Sequence, residues 1–258
     1  MFIPLHDDNP TRRTPVVTFL VIGLNVLVQL WSSHLNPVEQ QLFAYRYGFV
    51  PARIMQLSHK EPVYAPLRVE KLHLFWGPYV EEHLVRLDPQ PRQICLSLIT
   101  CMFLHGGWLH LIGNMWFLWL FGNNVEDRLG PVRYLVLYLG GGLIAGLSHW
   151  AVTPQSLVPV IGASGAVAAV LGAYAITWPW ARVSVLMVLV IFLTVIDVPA
   201  LFVLGIWFIA QVLAGQESLR EASLGGVAWW AHVGGFLAGV AVMPLLKATT
   251  PSENRYRY

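Results

Sequence analysis

Charge is scarce in this sequence of 258 residues. Only 12% of the residues are Asp, Glu, Lys or Arg, whereas about 25% is usual in a soluble domain. The hydrophobic share is 56% and the mean hydropathy is +0.57. A formal net charge of +2 provides no basic field for nucleic acid. The composition therefore excludes a soluble domain and a nucleic-acid partner, and it indicates an integral membrane protein whose chemistry lies in or beside the lipid bilayer.

Cysteine is also scarce, since the chain contains only Cys95 and Cys101. On one helix, side chains six residues apart are separated by about 9 Å along the axis. That separation is too large for a disulfide bond. The two cysteines therefore say nothing about the redox compartment.

Charge-free runs locate the candidate membrane spans, because one charge at a helix centre costs roughly 2.5 to 3.5 kcal/mol on insertion scales. The runs predict an all-α polytopic membrane protein, with the whole chain, 1–258, forming one membrane domain. Its six spans are predicted at about residues 15–33, 95–121, 132–151, 160–178, 199–215 and 229–246. The stretch 183–215 is long for one helix and short for two. We interpret it as a short dipping or interfacial segment up to Val198, followed by one crossing.

Residues 34–95 form the only large loop, which is predicted to be extracytoplasmic. The loop is rich in aromatic side chains, which favour the headgroup level of a bilayer. Packing of this loop against the membrane is the preferred interpretation, and a binding surface is the alternative.

Lys and Arg near the span ends predict the orientation, because short cytoplasmic loops carry an excess of both. With six spans, the short loops on one side hold only Arg220. The other side holds Arg12, Arg13, Arg128, Arg133, Arg182, Lys247, Arg255 and Arg257. The termini are therefore predicted to be cytoplasmic, in a bacterial cytoplasmic membrane.

Four polar side chains stand out among those inside apolar segments, namely His110, Asn114, Ser164 and His232. Such residues are costly in a bilayer and are often functional. Singly, a serine usually bonds back to its own helix and a histidine usually packs. Ser164, however, opens the fourth span and His232 opens the last, so both lie about one turn inside the membrane. Their depths are comparable if the two helices run in the same direction. That condition requires a single crossing between them.

Small residues predict that these two helices approach closely. Gly235 and Gly239 form a G-x-x-x-G face, and glycine and alanine keep the fourth span thin. A serine and a histidine within hydrogen-bond reach are the signature of an activated nucleophile. His110 and Asn114 are four residues apart, hence on one helical face, and both can donate hydrogen bonds to a developing oxyanion.

Other hydrolytic chemistries do not fit the sequence. It has no H-E-x-x-H motif for a zinc protease. Asp197 is the only carboxylate predicted within the membrane, so an aspartyl pair is excluded. His105 and His110 are five residues apart, about 140° around a helix, which is poor for a shared metal. GASGA, around Ser164, lacks the final glycine of a G-x-S-x-G elbow and has no preceding strand.

Four motifs resemble the rhomboid family of intramembrane serine proteases. They are YGFVPARI (47–54), FLHGGWLHLIGNMWFLWLFGNNVEDRLG (103–130), GASGAVAAVLGAY (162–174) and AHVGGFLAGV (231–240). The resemblance implies Ser164 as nucleophile and His232 as general base and acid. It also implies an oxyanion hole of His110, Asn114 and the Ser164 backbone N–H. Gly162 is counted among the residues that stabilise the oxyanion or substrate.

The same resemblance assigns structural roles to Glu126 and Arg128, which match an E-x-R element, and to His105, which matches a histidine that braces the first loop. One departure concerns Ala168, where some members carry a tyrosine under the catalytic imidazole. Another residue must therefore orient His232. The first loop is also extended between roughly 58 and 92.

The resemblance implies a rhomboid-like six-helix bundle that cleaves single-span, membrane-anchored proteins near the outer face of the bilayer, without a metal or cofactor. A non-proteolytic rhomboid-like adaptor or chaperone is the alternative. A channel or transporter is a weaker third interpretation, because no inverted repeat or pair of broken helices is evident. The sequence does not identify the substrate or the oligomeric state.

Overall fold

The protein is described by a computed structural model that covers residues 2–73, 77–189, 192–220 and 227–248. The structure is mostly helical, as predicted. Its α-helices are α1 (Val16–Ser32), α2 (Pro37–Tyr47), α3 (Pro91–Thr100), α4 (Trp108–Leu129), α5 (Pro131–Val152), α6 (Ser164–Thr177), α7 (Ala200–Arg220) and α8 (Trp229–Ala248). Short 3-10 helices occupy Pro51–Leu57 and Cys101–Phe103.

The prediction of an all-α protein is wrong, because the described residues also contain two antiparallel sheets. The strands are β1 (Phe2–Asp7), β2 (Val63–His73), β3 (Gly77–Leu87), β4 (Arg182–Leu189) and β5 (Phe192–Pro199). One sheet has the order β1-β4-β5, and β2 pairs with β3 in the first loop. The register of the second sheet runs from Val63 opposite Leu87 to His73 opposite Gly77.

The segment interpreted as dipping or interfacial contains the antiparallel strands β4 and β5, which cover its residues 183–189 and 192–198. Its sequence is rich in valine and isoleucine, which favour strands, and β1 supplies a third strand for backbone pairing. Asp197 lies in β5, where it is exposed and accepts a hydrogen bond of 2.7 Å from the Ser184 hydroxyl. It is therefore not a carboxylate within a transmembrane helix.

The second predicted span, 95–121, is broken rather than continuous. α3 ends at Thr100, α4 begins at Trp108, and the two helical segments are bent by 80°. Gly107 has φ +154°, a conformation that residues with a β-carbon rarely adopt. The break places His110 and Asn114 in the first two turns of α4.

Three described helices, α5, α7 and α8, are long and apolar enough to cross a membrane, and α3 with α4 makes a fourth candidate if the bent pair is one span. α1 and α6 are apolar but have only 17 and 14 residues. At 1.5 Å per residue α6 is about 21 Å long, shorter than the ~30 Å hydrocarbon layer. The count of six spans therefore stays a prediction.

α6 is the central helix of the bundle. Every residue from Gly165 to Ala175 is buried, as expected for a helix that is apolar on all sides. α4, α5, α7 and α8 all contact it. Ser164 is thus carried by the best-packed helix of the protein.

The predicted close approach of α6 and α8 is confirmed by the surroundings of their glycines. A β-carbon at Gly239 would overlap the Ala169 carbonyl oxygen, and one at Gly235 would overlap the carbonyl oxygen of Gly165. These overlaps mean that the two backbones are in direct contact, as in small-residue packing of membrane helices.

The first loop holds the segment that leads into α6. Phe49 and Val160 form an antiparallel bridge with N–H to O distances of 3.0 and 2.7 Å. Ala52 N–H donates to the Ser156 carbonyl at 3.0 Å. Phe49 belongs to the motif YGFVPARI and is fully buried. The motif therefore fixes the approach of the chain to Ser164.

A polar cluster fixes β1 at the end of the bundle opposite Ser164. The buried Asp7 carboxylate accepts hydrogen bonds from the Tyr174 hydroxyl at 2.6 Å and from Asn124 Nδ2 at 2.8 Å. Burial raises the pKa of Asp7, and the hydrogen bond from Tyr174 opposes that shift. The cluster joins β1 to α4 and α6.

Glu126 caps the first residues of α1. Pro15, the N-cap residue, provides no side-chain acceptor for the free N–H groups of that helix. The buried Glu126 carboxylate accepts instead from Val17 N–H (2.8 Å), Thr18 N–H (2.7 Å) and Thr18 Oγ1 (2.7 Å). A negative charge at a helix N-terminus also interacts favourably with the helix dipole. Arg128, the other residue of the E-x-R element, is exposed.

We expect Glu126→Gln to lower the free energy of unfolding by about 1 to 3 kcal/mol, because the charge is lost and one of the two acceptor oxygens becomes an amide nitrogen, which cannot accept from the N–H group that it faces. The measurement is chemical or thermal unfolding of purified protein in detergent micelles. Asp127→Asn is the matched control, since the Asp127 carboxylate accepts from the exposed Arg12 and Arg13 N–H groups, which precede α1. Equal losses in the two variants would contradict the capping role.

Candidate active site

Ser164 is the first residue of α6, so its N–H group lies among those that an α-helix leaves without an intrahelical acceptor. The residues before it are fixed by two hydrogen bonds. Gly162 N–H donates to the Cys101 carbonyl at 2.9 Å, and Ala163 N–H donates to His105 Nε2 at 3.4 Å. Ser164 itself is half-buried. The serine hydroxyl is therefore rigidly placed but not sealed inside the bundle.

His232 contacts Ser164 directly. The distance between His232 Nε2 and Ser164 Oγ is 2.7 Å. His232 lies in the first turn of α8 and is only 7% exposed. Ser164 and His232 are 68 positions apart in the sequence, and the contact between α6 and α8 brings them together.

The other ring nitrogen of His232 is bound by Gln211, on α7. Gln211 Oε1 lies 2.7 Å from His232 Nδ1, and Gln211 is itself buried. Gln211 Nε2 lies 3.3 Å from the Trp207 carbonyl oxygen. An amide nitrogen must face that carbonyl, so the amide oxygen faces the imidazole. The Trp207 and Trp229 rings flank His232, with centroid distances of 6.0 and 5.9 Å.

His110 and Gly162 border the space beside the serine hydroxyl. Gly106 N–H donates to His110 Nδ1 at 3.4 Å, which leaves Nε2 as the protonated nitrogen of a neutral ring. A β-carbon at Gly162 would lie 2.8 Å from His110 Nε2 and 3.6 Å from Ser164 Oγ. Gly162 therefore lies directly against the His110 ring and close to the serine hydroxyl, at a position where a β-carbon would overlap the imidazole.

Asn114 is buried one turn further along α4. Its Nδ2 donates to the His110 carbonyl at 3.0 Å. One amide hydrogen is therefore used within the helix, and the second is left for another acceptor.

His105 braces the loop that carries Ser164. Besides accepting from Ala163 N–H, it packs edge-on against His110 with ring centroids 5.0 Å apart. A cavity of about 320 Å³ lies between this segment and the first helices. Its polar lining includes Gln29, Ser32, Ser33 and His105. The cavity is polar and large enough to hold water molecules beside the segments that border the site.

Gln211 is the residue of this site that the sequence analysis missed. It is the only side chain in 199–215, apart from Trp207, that can form a strong hydrogen bond. A polar residue in an apolar span is a functional candidate by default. The same criterion that selected Ser164 and His232 would have found it.

Within the part of the chain that the structure describes, no three His, Cys, Asp or Glu side chains are grouped closely enough to hold a metal ion. The groups of the site are the Ser164 hydroxyl, the imidazoles of His110 and His232, and the side-chain amides of Asn114 and Gln211. Together they can activate a serine and polarise a carbonyl oxygen.

A helical membrane bundle with a serine in contact with a buried histidine defines the general class of this protein. The sequence model described as Rhomboid domain matches residues 92–248. This match covers more than half of the chain, so the protein belongs to the rhomboid family. It is a multi-pass membrane protein.

Curated relatives agree with this assignment. The chain is 30% identical over 168 residues to Presenilin-associated rhomboid-like protein A, mitochondrial, of Danio rerio, in an alignment that covers 63% of this chain and 41% of that protein. It is 35% identical over 158 residues to Rhomboid-like protein 11, chloroplastic, of Arabidopsis thaliana, covering 58% and 52%. It is 39% identical over 77 residues to the putative rhomboid protease YdcA of Bacillus subtilis, covering 30% and 38%. The aligned part spans roughly two fifths to one half of these relatives.

Proposed function

We propose that the protein is an intramembrane serine endopeptidase that cleaves transmembrane or membrane-anchored proteins through Ser164 and His232. The observation that carries the proposal is the 2.7 Å contact between Ser164 Oγ and His232 Nε2. A hydroxyl that donates to an unprotonated imidazole nitrogen is an activated nucleophile. Membership of a family that includes a protein named as a putative protease supports the same conclusion.

The reaction follows from the positions of these atoms. As Ser164 Oγ attacks the scissile carbonyl carbon, its proton passes to His232 Nε2. The resulting imidazolium gives that proton to the leaving amine, and the peptide C–N bond breaks. An acyl ester then joins the substrate to Ser164. Water attacks the ester with His232 again acting as base, which releases the acid and restores the hydroxyl.

The negative charge on the attacked oxygen needs donors that are already in place. We assign this role to the His110 Nε2–H group, the Ser164 backbone N–H and the second Asn114 amide hydrogen. The position of His110 supports the assignment, because its ring lies against Gly162, two residues before Ser164. The N-terminal end of α6 adds a favourable dipole.

We propose that α1, α4, α5, α6, α7 and α8 are the six spans of a single membrane domain. In this arrangement Ser164 lies near the outer face and the termini are cytoplasmic. The basic residues at the end opposite Ser164 support this orientation. The proposed location is a bacterial cytoplasmic membrane. The first loop, with β2 and β3, then lies on the outer side.

The proposed substrates are single-span membrane proteins whose helix opens easily near its outer end. In an intact helix each carbonyl is hydrogen-bonded within the ladder and shielded by side chains, so Ser164 cannot reach it. Opening backbone bonds in hydrocarbon costs several kcal/mol per unsatisfied group. Glycine, proline or polar residues near the cut reduce that cost. Leucine at those positions is expected to suppress cleavage.

A non-proteolytic rhomboid-like adaptor is the rival interpretation. Such a protein needs no reactive serine, so labelling with a serine-directed phosphonate separates the two. We expect a fluorophosphonate to modify purified wild-type protein at Ser164, as located by mass spectrometry of the labelled peptide. The control is Ser148, a serine on α5 whose hydroxyl donates to the Ile144 carbonyl of its own helix. Labelling of neither serine would contradict the protease proposal.

A further inference from the structure

We infer that Gln211 is a positioning residue that fixes the tautomer of His232, and that the site acts as a Ser–His–Gln triad. This inference rests on the proposed protease function. It concerns the third member of the site, for which the family motifs offer no candidate, because Ala168 stands where some members carry a tyrosine.

The first step is the orientation of the amide. Gln211 Nε2 is 3.3 Å from the Trp207 carbonyl oxygen, its neighbour one turn earlier on α7. Because a carbonyl only accepts hydrogen bonds, the nitrogen of the amide lies on that side. Oε1 is therefore the atom that lies 2.7 Å from His232 Nδ1.

The second step is the protonation of the ring. An amide oxygen has no hydrogen to donate, so Nδ1 must carry the proton of the neutral imidazole. Nε2 is then unprotonated and can accept the hydroxyl hydrogen of Ser164 at 2.7 Å. This is the tautomer that a general base requires. Without an acceptor at Nδ1, the proton is free to occupy Nε2, and the serine cannot be activated.

The third step is the cost of alternatives. Gln211 and His232 are 8% and 7% exposed, so water has little access to replace the hydrogen bond between them. Loss of that bond would leave a buried polar group without a partner, which costs free energy. A neutral amide also holds the ring without a buried charge, which a membrane span tolerates better than a carboxylate. Because Gln211 lies on a third helix, the position of α7 against α8 decides whether the base is correctly set.

The test compares Gln211→Met, which retains the length of the side chain but has no strong acceptor, with Gln211→Glu, which retains an oxygen acceptor. Ile206→Met is the matched control on the same helix, because Ile206 is 68% exposed and faces away from the site. Cleavage of a single-span reporter is measured in purified protein, and thermal unfolding checks that each variant folds.

We expect Gln211→Met to lower kcat by roughly 10- to 100-fold, a part of the 10² to 10⁴ that a positioned base contributes. KM should stay within about twofold, since substrate contacts are unchanged. Gln211→Glu should recover most of the rate, and Ile206→Met should leave it unchanged. A wild-type kcat in Gln211→Met, or an equal loss in Gln211→Glu, would overturn the inference.

A second measurement reads the tautomer without any activity. In protein labelled with ¹⁵N-histidine, the His232 signals are identified by their loss in His232→Ala. We expect a protonated Nδ1 and an unprotonated Nε2 in the wild type, and a shift toward protonated Nε2 in Gln211→Met. A wild type protonated at Nε2 would overturn the inference. If the wild type neither cleaves nor reacts with a phosphonate, the protease function fails, and the ring spectra alone still decide the Gln211 link.

Discussion

Ser164→Ala is expected to abolish cleavage of a single-span reporter, with a loss on the order of 10⁴- to 10⁶-fold in kcat. The variant removes the oxygen that lies 2.7 Å from His232 Nε2 and leaves no other nucleophile at that point. A methyl group in place of a hydroxyl at the start of α6 preserves the packing of the helix, so folding should be nearly unchanged. The rate is measured with purified protein and reporter in vesicles.

His232→Ala should cause a loss of similar size, and the double variant should be no slower than either single variant. Members of one catalytic unit give non-additive effects, because the pair fails once either member is removed. The control is His149→Ala, a histidine on α5 that is not hydrogen-bonded to Ser164 in the structure. Equal turnover by wild type and Ser164→Ala would refute the protease proposal. Additive losses in the double variant would show that Ser164 and His232 do not act as one catalytic unit.

Gly162→Ala is expected to lower kcat by on the order of 10²- to 10³-fold, the effect of losing one oxyanion donor. The new methyl group would lie 2.8 Å from His110 Nε2 and Cε1, which is too close for the ring to keep its position. Gly162 also has φ +123°, a conformation that alanine adopts only with strain. The variant is therefore expected to displace His110, one of the proposed oxyanion donors.

Gly106→Ala is the matched control for that variant. A β-carbon at Gly106 would lie 3.7 Å from Ile161 and 3.9 Å from His110 Nδ1, which are ordinary contacts. The Gly106 N–H that donates to His110 Nδ1 is retained. We expect its rate to stay within a few-fold of the wild type. Wild-type turnover in Gly162→Ala would show that the position of His110 against Gly162 is not needed for catalysis.

Periodicity and charge predicted the helices that carry the candidate site, because a bilayer imposes long runs without charge. α5 and α8 occupy Pro131–Val152 and Trp229–Ala248, within two residues of the predicted 132–151 and 229–246. The small residues of α6 and α8 likewise predicted a close contact, since glycine and alanine let two helix backbones approach closely.

Local pattern did not predict the strands. The run 183–198 is mostly apolar, and a short apolar run does not distinguish a buried strand from a helix. Its backbone pairs within the run and also with β1, a segment about 180 residues away in the sequence that no local pattern reveals. The break between α3 and α4 was also missed. It depends on the backbone at Gly107, and a glycine within a helical pattern is usually tolerated.

The sequence by itself determined that this protein lies in a membrane, that it resembles the rhomboid family, and that Ser164 and His232 are its candidate reactive pair. Composition, charge-free runs and motifs are local properties, so they can be read directly from the residues. Only the tertiary structure decided what holds His232, because Gln211 lies on a different helix and its role depends on a single contact between α7 and α8. Only the tertiary structure also decided the contact of Gly162 with His110, because it forms where the segment before α6 meets α4.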